Sequence, residues 1–167
     1  MKKYLVAFAA IFALLLVSCG PTQDDAVKYN DKLVDLSDKV DDLTNSLADQ
    51  LDGHNVDSLN KLYANFTAVI KNGLAEVKLM KPLEEKDPAY HNAMLAHFEN
   101  MDKLAQNEVK RIVEITTKFG SGAEPTDEEY AALEKDIETF DNSSQKSMDR
   151  VKEEQKKFSN RWNIILM

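Results

Sequence analysis

From residue 24 onward, apolar residues recur every three or four positions, and very little interrupts them. The first run places Ala26, Tyr29, Leu33, Leu36, Val40, Leu43, Leu47 and Leu51 on one narrow stripe. A half-buried strand would alternate every second residue instead. Intervals of three and four make the stripe one face of an α-helix. The chain has only 5 Gly and 4 Pro, and most of them fall between such runs. That pattern predicts an all-α protein.

Four helices follow from the punctuation. Thr22 can cap the first, predicted from about Asp24 to Asp52, with Asp24 and Asp25 in the turn where negative charge is favoured. Gly53 suits the position just past its end. The second begins near Asn55 or Val56 and carries Leu59, Leu62, Phe66, Val69, Gly73, Val77 and Met80. Pro82 disfavours helix at Lys81 and should end it. Asp87-Pro88 reads as a cap followed by proline in the first helical position. The third helix then carries Met94, Phe98, Met101, Leu104, Ala105, Ile112, Ile115 and Phe119, up to Gly120-Ser121-Gly122. Thr126 and Glu129 form a capping box for the fourth, and Pro125 can staple against Tyr130.

Four amphipathic helices with short connections predict an antiparallel up-down-up-down four-helix bundle over residues 24–167. A fourth helix running from Thr126 to the last residues would be roughly 60 Å long, against ~43 Å for the first. The mismatch predicts that it bends, breaks or overhangs. The polar run Asp141-Asn142-Ser143-Ser144 is the expected break, because such side chains compete for backbone hydrogen bonds.

Counting from the loops at one end places Gly73, Ser144, Met101 and Ala105 at a common level with Leu33 and Ser37. Gly73 and Ser144 are the smallest seam residues of their helices. Their layer is therefore expected to be pinched, with the second and fourth helices close together. The alternative is a hollow layer, a core pocket with the Ser144 hydroxyl as its polar handle. Close approach is preferred because protein interiors leave few voids.

Ahead of the helices, Lys2 and Lys3 precede an apolar stretch from Tyr4 to Val17. Fourteen apolar residues fall short of the ~20 a membrane-crossing helix needs, so the stretch reads as a secretory signal. It ends in Leu16-Val17-Ser18-Cys19, which resembles the bacterial lipobox. That resemblance implies removal of residues 1–18, cleavage between Ser18 and Cys19, and a covalent lipid on Cys19. It also implies a membrane partner through that lipid. Cys19 is the only cysteine, so no disulfide is possible within the chain. Residues 19–23 would form a short tether reaching about 15 Å. Gly20, not Asp, follows Cys19, which under the enterobacterial sorting rule implies the outer membrane of a bacterial cell envelope. Gln23-Asp24-Asp25 is similar to the acidic surface-export signals of Bacteroidota lipoproteins, without their usual Ser or Lys lead. Ala26-Val27-Lys28-Tyr29-Asn30-Asp31 is similar to helical surface lipoproteins of leptospires and Bacteroidota. Neither resemblance implies an activity.

The whole chain carries −8; without Lys2 and Lys3, 19 basic residues face 29 acidic ones, a balance near −10. Nucleic-acid binders need clustered Lys and Arg, so nucleic acid is excluded as a partner. The ferritin-like Glu-x-x-His pair is absent, since Leu51, Pro88 and Met94 stand three residues before His54, His91 and His97. Asp38, Asp41 and Asp42 on a straight helix cannot converge on Ca²⁺ and read as a solvated face. Met80, Met94 and Met101 read as core filler. There is no Gly-x-Ser-x-Gly elbow and no phosphate-cradling loop. The expectation is a non-enzyme without metal or cofactor: a lipid-anchored bundle acting as a structural or protein-interaction module toward an envelope or host protein. A small-ligand carrier with a cavity in the bundle core is the alternative.

Overall fold

The computed structural model describes residues 20–52 and 56–166. Helix α1 (Gln23–Asp52) and α2 (Val56–Leu79) are each unbroken. A third rod is built from α3 (Ala89–Leu104), a π-helical turn (Ala105–Val109) and α4 (Lys110–Gly120). Helix α5 (Asp127–Trp162) completes an all-α four-helix bundle, and no strand occurs among the described residues. Gly53 and His54 lie outside the described residues.

Contacts between distant residues fix the up-down-up-down course. Lys32 of α1 pairs with Glu76 near the end of α2 at 2.5 Å. Tyr63 of α2 donates to the Ala105 carbonyl at 3.1 Å. Gln23 Nε2 at the start of α1 donates to the Asn163 carbonyl just past α5 at 2.7 Å. The first and last helices therefore share one end of the bundle, which also holds the Met80–Pro88 connection. Gly20, the residue after Cys19, lies at this end.

Local signals explain most helix ends. Thr22 and Asp25 bond reciprocally: the Asp25 amide donates to Thr22 Oγ1 at 3.2 Å, and the Thr22 amide donates to Asp25 Oδ2 at 2.8 Å. Those bonds from Thr22 hold the Asp25 carboxyl below its ordinary value. The Thr126–Glu129 capping box is present. Asp87 departs from expectation. It caps nothing; α3 begins after Pro88 without a side-chain cap, and Asp87 pairs with Arg161 at 3.5 Å. Tyr130 packs on the Phe119 ring, with centroids 5.5 Å apart.

The core is one cluster running from Ala26 to Phe158. All eight stripe residues of α1 face it or pack at its edge. Two expectations fail further on. In the third rod, the π-turn widens the helix by part of a residue and rotates the face that follows. Val113 and Thr116 are buried, while Ile115 and Phe119 are only half-buried. In α5 there is no break at residues 141–144. Ser144 Oγ donates back to the Asp141 carbonyl, and Ser143 exchanges hydrogen bonds with Asn100 of α3 at 3.0 and 3.2 Å. The polar run that should interrupt the helix is instead satisfied within it and across to its neighbour.

Candidate functional site: an open seam between the first and last helices

Three of the four helix–helix seams are closed. The fourth, between α1 and α5, is not. Near the shared end, the Tyr29 and Phe158 rings approach to 5.9 Å, and Gln155 donates to Asn30 Oδ1 at 2.8 Å. Beyond Asn30, no hydrogen bond or ion pair joins α1 to α5 among the described residues. A groove follows this seam, with the third rod as its floor.

At the shared end and middle the groove has a volume of ≈ 560 Å³. One wall carries Asp31, Asp35, Asp38 and Asp41; Tyr90, Met94, Met148 and Val151 form its apolar base. Asp35, Asp38 and Asp41 make no ion pair among the described residues. Partial burial, and then Asp38 beside it, push the Asp41 carboxyl above its ordinary value, while Lys152 acts the other way. Lys152 is the one cation among the groove's described lining residues. The groove continues past Thr44, Met101, Phe140 and Ser144 into an apolar end of ≈ 190 Å³ lined by Leu47, Leu51, Phe66, Ile112 and Ile137. Ile137 and Phe140, exposed and half-buried on α5, face this open seam.

A polar cluster is buried beside the groove. His97 is 2% exposed. Its Nδ1 lies 2.8 Å from Ser147 Oγ. Ser147 Oγ itself donates to the Ser144 carbonyl at 2.9 Å. A hydroxyl hydrogen directed at that carbonyl leaves the oxygen to accept from the Nδ1–H tautomer of His97. Nε2 is then an acceptor, and among the described residues it has no hydrogen-bond partner. Burial lowers the His97 pKa to about 4, so the ring is neutral near pH 7. Six residues earlier on α3, His91 Nδ1 pairs with the Tyr29 hydroxyl at 2.8 Å.

The four residues expected in one layer separate. Met101 and Ser144 line the same stretch of the groove. Gly73 and Ala105 do not line it. Ala105 is fully buried and gives its carbonyl to Tyr63. Gly73 is pinched, but against the third rod and not against α5: a Cβ there would come within 2.8 Å of Phe98 Cζ. The space a hollow layer would need at Gly73 is filled by that ring. Ser18 and Cys19 lie outside the described residues. Among the described residues, no three His, Asp or Glu side chains gather as a metal cage, and no helix is long and apolar enough to cross a membrane.

The aspartate wall was visible in the sequence as a row at three- and four-residue spacing. What the sequence could not supply was the open seam beside it. No known protein family, curated protein or solved structure matches the chain.

Proposed function

We propose that this protein is a lipid-anchored component of a bacterial cell envelope, held at the outer membrane through Cys19, and that it works as an interaction module whose partner-facing surface is the α1–α5 groove. The lipobox-like Leu16–Cys19 stretch supports the anchor. One observation carries the interaction reading: Asp35, Asp38 and Asp41 stand unpaired along one wall of the groove, with Lys152 alone opposite. Elsewhere several acids are paired, as in Lys32–Glu76, Arg111–Asp136 and Arg161–Glu84. A row of like charges left without counterions repels itself, and a cationic surface brought alongside relieves that repulsion and steers association. The partner class is therefore a basic segment of an envelope or host protein, with apolar side chains for the Leu47–Phe140 end. No catalytic role is assigned.

The test is site-specific photo-crosslinking in intact cells with the full chain. A crosslinker at position 38 should give a discrete product that disappears when Asp35 and Asp41 are changed to Lys. A crosslinker at position 61, on the exposed face of α2, should not give it. Identical products from both positions, or indifference to the charge reversal, would refute the groove as the interaction surface.

A further inference from the structure

Large apolar side chains left exposed are unevenly distributed along the bundle. Six stand out among the described residues, and four of them, Val27, Leu79, Ile165 and Leu166, belong to the end where the chain meets Cys19. Two are almost fully solvent-facing: Leu79 is 85% exposed and Ile165 is 92% exposed. We propose that this end is a membrane-contacting belt, whose occupant is the boundary between headgroups and acyl chains of the bilayer. The proposal rests on the anchor reading above and deepens it: the lipid on Cys19 would not only tether the bundle but set it end-on.

The geometry brings these residues to one level. The Lys32–Glu76 pair aligns the last turn of α2 with the second turn of α1, which places Leu79 beside the level of Tyr29. Ile165 lines a shallow recess together with Val27, Asn30 and Asp31, and with Leu166 it borders the shared-end stretch of the groove. It is there because Asn163 adopts a left-handed conformation, φ 52°, which ends α5 and turns the following residues across the first turns of α1. Asn is among the few non-glycine residues that accept this conformation. Ile165 is thereby carried out of the helix and into solvent, where no packing within the bundle requires it. The one tryptophan, Trp162, is half-buried at the same end, its Nε1 donating to Glu84 at 3.0 Å. An indole with one polar contact and a partly exposed apolar face suits the interface of a bilayer.

Charge and distance select lipid over a protein occupant. Within residues 20–30, 78–90 and 158–166, Lys28, Lys78, Lys81, Lys86 and Arg161 balance Asp24, Asp25, Glu84, Glu85 and Asp87. The end is neutral, so the chain's negative excess lies further along the bundle. It can approach a bilayer with less repulsion than the α1 aspartates further along the groove would meet. From Cys19 to Gln23 the backbone spans at most about 14 Å. A lipid at Cys19 therefore holds the belt at the surface, and an intramolecular contact of this kind needs little affinity of its own.

Trp162 is a built-in reporter. The full, lipid-modified chain is reconstituted into phosphatidylcholine vesicles with brominated acyl chains and into plain ones, and vesicle flotation is read alongside tryptophan emission. The expected result is co-flotation with roughly twofold lower emission in the brominated vesicles, as an interfacial indole would give. In the variant Leu79→Glu/Ile165→Glu flotation should persist while the quenching is lost. Both positions are solvent-facing, so the variant should keep the helical circular dichroism of the parent. Protein that floats but is equally bright in both vesicles overturns the belt alone. So does emission that depends on protein density in the membrane and not on bromination, which would mark the belt as a contact between copies. Protein that does not float overturns the anchor reading and the belt with it.

Discussion

The Phe98 ring occupies the space where a side chain on Gly73 would begin. A Cβ built on Gly73 falls 2.8 Å from Phe98 Cζ, closer than real Cβ atoms come to a neighbour, and both residues are buried. Glycine here lets α2 and α3 approach, at the cost of helix propensity. Gly73→Ala should therefore destabilise the protein. Overpacking costs about 1–3 kcal/mol, against which alanine's better helix propensity returns up to ~1 kcal/mol. Gly73→Leu should cost more. Phe98→Leu should be less damaging in the Gly73→Ala background than alone, because the two changes share one volume. Chemical denaturation of the four proteins checks this; a rise in midpoint for Gly73→Leu would mean the layer is hollow after all.

A second prediction concerns the charge buried on α5. Asp136 is 3% exposed and receives Arg111 Nε at 2.7 Å, with a second, shorter bond from the guanidinium NH2 to its other oxygen. Such two-pronged pairs are geometrically demanding. Removing only the arginine leaves a carboxylate without its counterion. Arg111→Met should cost about 2 kcal/mol, less than for a fully buried pair because Arg111 itself is half in water. Arg111→Met/Asp136→Leu should recover most of that loss, since an apolar pair needs no partner. Equal midpoints for the single and double variants would show that the unpaired carboxylate is not the cause.

The contrast between α1 and α5 shows what the sequence made legible. The α1 stripe translated into core or core-edge positions from Ala26 to Leu51, because an unbroken helix keeps one period along its length. On α5, Tyr130, Leu133, Ile137 and Phe140 recur at the same spacing, yet Tyr130 and Ile137 are exposed. Periodicity says which residues share a face but not whether that face is covered, so an apolar groove and an apolar core look alike in one dimension. The π-turn escaped for a related reason. Five residues at a wider pitch do not disturb a pattern read over thirty, yet they were enough to exchange Ile115 and Phe119 for Val113 and Thr116. The expected break at residues 141–144 failed because the partner that satisfies Ser143, Asn100, is more than forty residues away. The capping box at Thr126 was readable because everything it needs lies within four residues.

Cys19→Ser tests the anchor directly. Among the described residues a packed core extends from Ala26 to Phe158, and a lipid is what the Leu16–Cys19 stretch implies. The variant is expected in the soluble fraction, with the melting temperature of the parent domain. Persistence in the membrane fraction after a salt wash would refute the lipidated cysteine as the attachment.

The final prediction is a pH dependence assigned to one buried ring. His97 is held neutral by burial, with its pKa lowered from the ordinary 6.5 to about 4. The unfolded chain therefore takes up a proton at His97 before the folded protein does. Stability from this group is complete above pH 6.5 and is lost progressively as pH falls toward about 4, where the folded ring protonates too. A displacement of that size corresponds to roughly 3 kcal/mol at ~1.4 kcal/mol per pH unit. His91, also lowered by burial, adds in the same direction. The lowered carboxyls of Asp25 and Glu129 lose their contribution only as pH falls below their ordinary values. The raised Asp41 carboxyl works against the histidines as pH falls, and the contribution of Glu129 begins to be lost below 4.5, so the share of the ring is the difference between the parent and a His97 variant. His97→Asn removes the titration while keeping an N–H that can reach Ser147. Urea midpoints measured across this window should fall steeply with decreasing pH in the parent and more gently in the variant. Parallel curves for the two proteins would show that His97 is hydrated and titrates normally, and that its Nε2 is not the isolated acceptor the packing around Ser147 and Asn100 creates.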